Sequence, residues 1–165
     1  MLDHAQAHEA AQPDRVLLTQ PVGAGQVSSP IWAQALGQAR RKAALLKEHG
    51  LRSGDNVALL AKNSAHFIRA ERAIWMASGS TVVIFPIKTA DNLRYGLAHC
   101  EARWLFTGKL DDGLAQQAGL PPGLRCIALP LSSAVGIEAW DDIVERTAPL
   151  PGRPVRGADE VAMLL

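Results

Sequence analysis

Long apolar runs, paired cysteines and net charge are all scarce in this sequence, and each shortage closes off a class of protein. No apolar stretch, "VVIF" at 82–85 included, approaches the length that crosses a bilayer. The first fifteen residues, "MLDHAQAHEAAQPDR", hold no apolar segment and no cleavage signal of the secretory kind. Cys100 and Cys126 are the only cysteines and lack CxxC spacing, which predicts a reduced pair of small core residues and a cytoplasmic setting. A net charge of +1 gives no electrostatic case for nucleic acid or an anionic membrane as partner. The densest basic stretch, "ARRKAALLK" at 39–47, alternates its charges with alanine and leucine and reads as a solvated helix face. His8-Glu9 opens an HExxH pattern that "HEAAQ" leaves incomplete, so no metal site is expected there.

What is present is a globular composition, 48% apolar and 20% charged over 165 residues, enough for one domain with a core. Residues 1–14 are polar and read as a loose N-terminus. "RVLLTQPVGAGQV" predicts two short strands, Val16–Thr19 and the region after Gln26, around a turn where Gly23 and Gly25 supply positive φ. A phosphate cradle fits this GxG less well, because no helix opens on it and no lysine follows. Trp32, Ala35, Leu36, Ala39, Ala43 and Leu46 share a helical face, with Arg40, Arg41 and Lys47 largely away from it, and Gly50 is placed to cap its end. "NVALLA" is a buried strand. Asn63 or Ser64 can cap the next helix, whose buried side is Phe67, Ala70, Ile74 and Ala77, with Arg69 and Arg72 free to stay wet.

"STVVIFP" is the next strand, stopped at Pro86, and Leu93, Leu97 and Cys100 mark a third helix. "RWLFTG" and "RCIALP" are strands separated by a short helix in "KLDDGLAQQAG" and a turn at "PPG". "EAWDDIVERTA" is helical, and an irregular Pro/Gly connection leads to a final strand in "ADEVAMLL". Strand and helix alternate about five times, which predicts an α/β fold with a mostly parallel sheet flanked by helices.

Reactive groups are few. Asp111-Asp112 and Asp141-Asp142 are paired carboxylates of the kind that hold metals or exchange protons, yet adjacent carboxylates at loop ends and helix starts ordinarily serve solvation and the helix dipole. His66 near a helix start and His99 near a helix end read as capping or packed residues. No serine has the surroundings of an activated nucleophile and no GxxxxGK[ST] loop is present. No catalytic, cofactor-binding or metal-binding residue is therefore assigned.

The stretch "WAQALGQARRKAALLKEHGLRSGDNVALLAKNSAHFIRAERAIWMA" resembles the start of an AMP-forming acyl-CoA synthetase, a member of the adenylate-forming superfamily. The likeness continues through "FPIKTADNLRYGLAHCEARWLFTGKLDD", which is most similar to the long-chain fatty-acid branch, and through "RCIALP", "WDDIVERTAPL" and "ADEVAMLL". It implies that residues 15–165 form an incomplete N-terminal subdomain of a long-chain fatty-acid–CoA ligase. The complete enzyme would take a fatty acid, ATP, magnesium and coenzyme A. In that family the strand matching "EVAMLL" leads into a Ser/Thr/Gly-rich phosphate-binding loop, so the resemblance implies a framework without catalysis of its own. Exposed apolar surface then predicts self-association. The alternative is a stand-alone, non-catalytic α/β binding or interaction module derived from a synthetase. Against the family pattern, Gly79 is displaced by one position, Val83 stands where proline is common and Ile87 where threonine is common, and "SSPIW" replaces a more usual extended stretch.

Overall fold

A computed structural model describes residues 1–86 and 89–165. Helix α1 (Leu2–Ala11) leads to an antiparallel ribbon of β1 (Gln20–Gly23) and β2 (Gln26–Ser28). Next come α2 (Trp32–Glu48), β3 (Asn56–Leu60), α3 (Ala65–Met76) and β4 (Ser80–Ile84). They are followed by α4 (Ala90–His99), β5 (Trp104–Thr107), α5 (Gly113–Gln117) and β6 (Arg125–Ala128). The chain closes on β7 (Glu138–Ala139), α6 (Trp140–Arg146) and β8 (Met163–Leu164). Strands β3 to β8 form one sheet in the order β7-β6-β5-β3-β4-β8, and every neighbouring pair is parallel. The α/β architecture read from the alternation of patterns is the one observed.

Local chemistry explains the element ends. Gly50, at φ 83°, follows α2 in the left-handed conformation, with Leu51 N donating to Leu46 O at 2.9 Å. Helix α3 begins at Ser64, whose Oγ accepts from Phe67 N at 3.1 Å. It ends with Ser78 at φ 67° in the place a glycine would normally take, and Gly79 N then bonds Ile74 O at 2.9 Å. The one-position displacement of Gly79 has a steric reason. A Cβ there would sit 3.1 Å from Ile74 Cγ2 and from Leu51 Cδ2, so Gly79 is spent on close packing and Ser78 takes the strained turn. Val83 lies in regular register opposite Leu59, and Ile87 lies outside the described residues.

Two apolar layers sandwich the sheet. On one face Leu36, Leu46, Ile74, Trp140 and Ile143 from α2, α3 and α6 pack on Val57, Leu59, Phe106 and Ile127. On the other, Leu93 and Leu97 of α4 meet Ala58, Leu60, Ile84 and Leu105. Strands buried on both sides are the reason "NVALLA" reads as nearly continuous apolar residues.

Four expectations need correction. Residues 1–14 hold helix α1, with Leu2, Ala5 and Gln6 buried, because Gln6 and Glu9 find distant partners that composition does not show. The first strand lies later than Val16–Thr19; Val16 makes only a single bridge to Ile31. The basic stretch is not simply a wet face, since Lys42 is fully buried, and Arg40 forms an ion pair with Glu9. Arg69 is buried as well, because Gln38 of α2 and His66 and Ala65 O of α3 accept its hydrogen bonds, with Trp140 of α6 bonded to the same Gln38.

Candidate functional site

In an open parallel sheet, ligands bind beyond the carboxyl ends of the strands, where the strand order reverses. Strand β3 is flanked by β4 on one side and, after a crossover, by β5 on the other, so the reversal lies between β3 and β5. The loops leaving those strands close on each other. Lys62 N donates to Lys109 O at 3.0 Å, and Gly108 N to Leu60 O at 2.9 Å. A Cβ on Gly108 would lie 2.6 Å from Ala61 Cβ, so glycine is what permits the approach. Across the top, Lys62 Nζ stands 2.5 Å from both carboxylate oxygens of Asp111. That pair is solvent-exposed and contributes at most about 1 kcal/mol, so a competing anion can displace it. Lys62 was passed over in the sequence; the signal available was a lysine directly after an apolar strand.

The residues weighed from sequence do not converge. Asp111 binds Lys62, and Asp112 precedes α5 with no side-chain bond into the helix. Asp141 and Asp142 lie in the first turn of α6, where carboxylates complement the helix dipole. His99 ends α4 and stacks on Tyr95 at 5.7 Å. Gly23 and Gly25, at φ 102° and 73°, make the turn of the β1–β2 ribbon. Cys100 and Cys126 are free, and burial raises both thiol pKa values, that of Cys126 to about 11, which makes them poor nucleophiles.

His66 belongs to a buried polar cluster between α2, α3 and α6. Gln38 Oε1 accepts from Arg69 Nη1 at 2.6 Å and from Trp140 Nε1 at 3.1 Å. Arg69 Nη2 donates to His66 Nε2 at 2.7 Å, which puts the imidazole proton on Nδ1, and the ring meets Trp140 edge-on. Burial, then the charges of Arg69 and Lys42, lower the His66 pKa to about 3. Lys42 donates to Trp140 O and lies 4.7 Å from the Trp140 ring centre, and burial lowers its pKa to about 7. Each of these side chains is committed to its neighbours, which suits it to orienting α6.

A groove of about 580 Å³ opens at the opposite, amino end of the strands. Its arginines are engaged: Arg103 with Asp55 at 3.8 Å, and Arg125 with His49 O at 3.3 Å and over the Trp104 ring. Helices α2 and α4 end there, so these cations offset terminal helix carbonyls.

A family model described as "AMP-binding enzyme" matches residues 5–163. The chain belongs to the AMP-binding enzyme family. Its fold superposes on a benzoate CoA ligase from Burkholderia xenovorans LB400 with a TM-score of 0.82 at 18% identity, covering 99% of this chain and 32% of that one. The anthranilate CoA ligase AuaEII, solved with anthranoyl-AMP, gives 0.78 at 19% identity over 94% of this chain and 29% of that one. Acetoacetyl-CoA synthetase from Streptomyces lividans gives 0.78 at 24% identity, covering 94% and 26% respectively. No curated protein matches. This AMP-binding chain thus spans between 26% and 32% of the length of these three structures.

Among the described residues no three His, Cys, Asp or Glu side chains gather in one place. At the strand reversal the loops are in contact, and Lys62 and Asp111 form an exposed ion pair across them. No helix among the described residues is long and apolar enough to cross a membrane.

Proposed function

We propose that these residues form the first part of an AMP-forming acyl-CoA ligase and supply its framework, while the reactive groups belong to other residues of the intact enzyme. The observation that carries this reading is the family match over 5–163, on an all-parallel sheet that superposes along nearly the whole chain. In the ligase reaction the acid's carboxylate oxygen attacks the α-phosphorus of ATP and pyrophosphate leaves. The sulfur of coenzyme A then attacks the acyl carbon and AMP leaves. Magnesium belongs, in this proposal, to residues other than those described. A cytoplasmic location is part of the same reading, supported by two free cysteines.

For the acid we propose a long-chain fatty acid, on the likeness of "FPIKTADNLRYGLAHCEARWLFTGKLDD" to that branch. The solved neighbours are named for benzoate, anthranilate and acetoacetyl groups, which makes an aryl or short acid the competing outcome. The test is acid-dependent ATP–pyrophosphate exchange and thioester formation with palmitate, octanoate and benzoate. It is run on the 165-residue chain and on the protein isolated, through a tag at Met1, from cells that make it. The isolated chain is expected to give no exchange, and the cell-derived protein to favour palmitate. Exchange by the 165 residues above a heat-killed control defeats the framework reading, and preference for benzoate defeats the choice of acid.

A further inference from the structure

Strand β8 enters the sheet on only two ladder pairs, Thr81 with Met163 and Val82 with Leu164. Two pairs give an edge strand few ladder hydrogen bonds of its own. Its anchorage comes from side chains outside the ladder. Trp75 Nε1 donates to Ala162 O at 2.8 Å, and Ser80 Oγ donates to Val161 O at 2.7 Å. Arg156, its side chain only 9% exposed, gives Nη2 to Val161 O at 2.8 Å and Nη1 to Gly79 O. Upstream, the irregular segment 147–162 is strapped across the helices. Arg41 Nη1 donates to Thr147 O at 2.6 Å, and Leu150 N donates to Arg40 O at 3.1 Å.

The strap also meets the far end of the chain. Gln6 of α1, 4% exposed, donates through Nε2 to Pro154 O at 2.7 Å and accepts from Arg153 Nε at 2.6 Å. Both ends of a buried amide are therefore spent on the strap, 147 and 148 residues away. Removing the strap leaves that amide buried without partners, which costs more than the bonds contribute in water. Apart from the strap, α1 is held by buried Leu2 and Ala5, by the Glu9–Arg40 pair and by His8 stacked on Trp32 at 5.4 Å.

We infer that α1 and the strap 147–162 form a single latch, docked or released as a unit, which decides whether β8 stays in the sheet. Because β8 runs parallel to β4, its carboxyl end emerges at the rim where sheets of this kind bind ligands, so the latch controls the shape of that rim. The inference does not depend on which acid is activated.

Native-state hydrogen exchange on the 165-residue protein tests it. The reporter is the Thr81 amide, which donates to Ala162 O at 2.9 Å and loses its partner when β8 leaves. Gln6→Ala is expected to speed exchange at Thr81 and across 161–165 at least tenfold, while Leu59 and Phe106 in the central strands stay unchanged. Reciprocity supplies the second arm: Trp75→Phe, which removes the donor to Ala162 O, must speed exchange in α1 by its own coupling to β8. Arg153→Ala removes an exposed side chain from the same contact and should give the pattern of Gln6→Ala with smaller amplitude. Faster exchange in α1 alone, with Thr81 unmoved, overturns the latch. So does a uniform rise that includes Leu59 and Phe106, which would mark general destabilisation.

Discussion

One face of the sheet is covered by four helices and the other by two. Helix α2 has 17 residues and α3 has 12, and both lie with α1 and α6 on the first face. The second face has α4, with 10 residues, and α5, with 5. The thick side buries charge: Lys42 and Arg69 are inside, with hydrogen bonds to Trp140 O from Lys42 and to Gln38, His66 and Ala65 O from Arg69. The thin side keeps its charge wet, as in the exposed Asp91–Arg94 pair, and leaves Tyr95 71% and Leu114 62% exposed. Depth of cover, more than sequence composition, decides which basic residues end up buried. A buried lysine needs a second layer above it, and only the first face has one.

That contrast is broken most strongly by truncation. Trp140→Ala on the thick side removes an indole that packs on Phe106, bonds Gln38 and carries Lys42 over its ring, and should cost about 4 kcal/mol. Leu97→Ala on the thin side, 3% exposed beneath a single helix, should cost about 2 kcal/mol because α4 can settle toward the sheet. Urea unfolding with a common slope measures both. Equal losses would mean that the second face is as rigidly packed as the first.

Periodicity made strands β3 to β6 and the apolar helix faces readable in the sequence. Leu36, Ala39, Ala43 and Leu46 fall where a 3.6-residue repeat puts them, and Gly50 caps α2. The same repeat failed for Lys42 and Arg69, since it separates apolar from polar residues within one helix and carries no information about a third helix packed on the flank. Helix α1 was missed for a related reason: its docking rests on Gln6 meeting Pro154 and Arg153, a pairing 148 residues apart for Pro154 that no local window contains. Strand β7, two residues long, is set by its register with β6 rather than by its own sequence. At the candidate site, the carboxylate pairs were visible in the sequence, whereas the closure of the Lys62 and Gly108 loops is a product of the sheet bringing β3 and β5 together.

A pH titration sharpens the comparison further. Burial, reinforced by Arg69 and Lys42, lowers the His66 pKa from 6.5 to about 3, so the unfolded chain binds a proton that the folded one refuses between those values. Stability from this group is full above pH 6.5 and is lost as pH falls toward 3. Lys42 behaves alike in a higher window: with its pKa lowered from 10.5 to about 7, stability falls as pH drops from 10.5 to 7. His66→Gln should flatten the acid segment and Lys42→Met the alkaline one, each read as the difference from wild type in urea midpoints. An unchanged acid segment in His66→Gln would show that the imidazole is protonated inside the fold.

The smallest expected difference lies at two helix starts that share one device. Ser64 Oγ accepts from Phe67 N at 3.1 Å at the head of α3 on the thick side, and the bond is partly buried. Thr89 Oγ1 accepts from Asn92 N at 3.3 Å at the head of α4 on the thin side, and that bond is exposed. Water can replace the threonine oxygen at an open helix end but reaches the buried amide of Phe67 less readily. Ser64→Ala should therefore cost about 1 kcal/mol and Thr89→Ala about 0.5 kcal/mol, both resolvable by chemical denaturation. A larger loss at Thr89 would mean that α4 depends on its cap more than on its cover, and the unequal burial of the two faces would then not set their local stability.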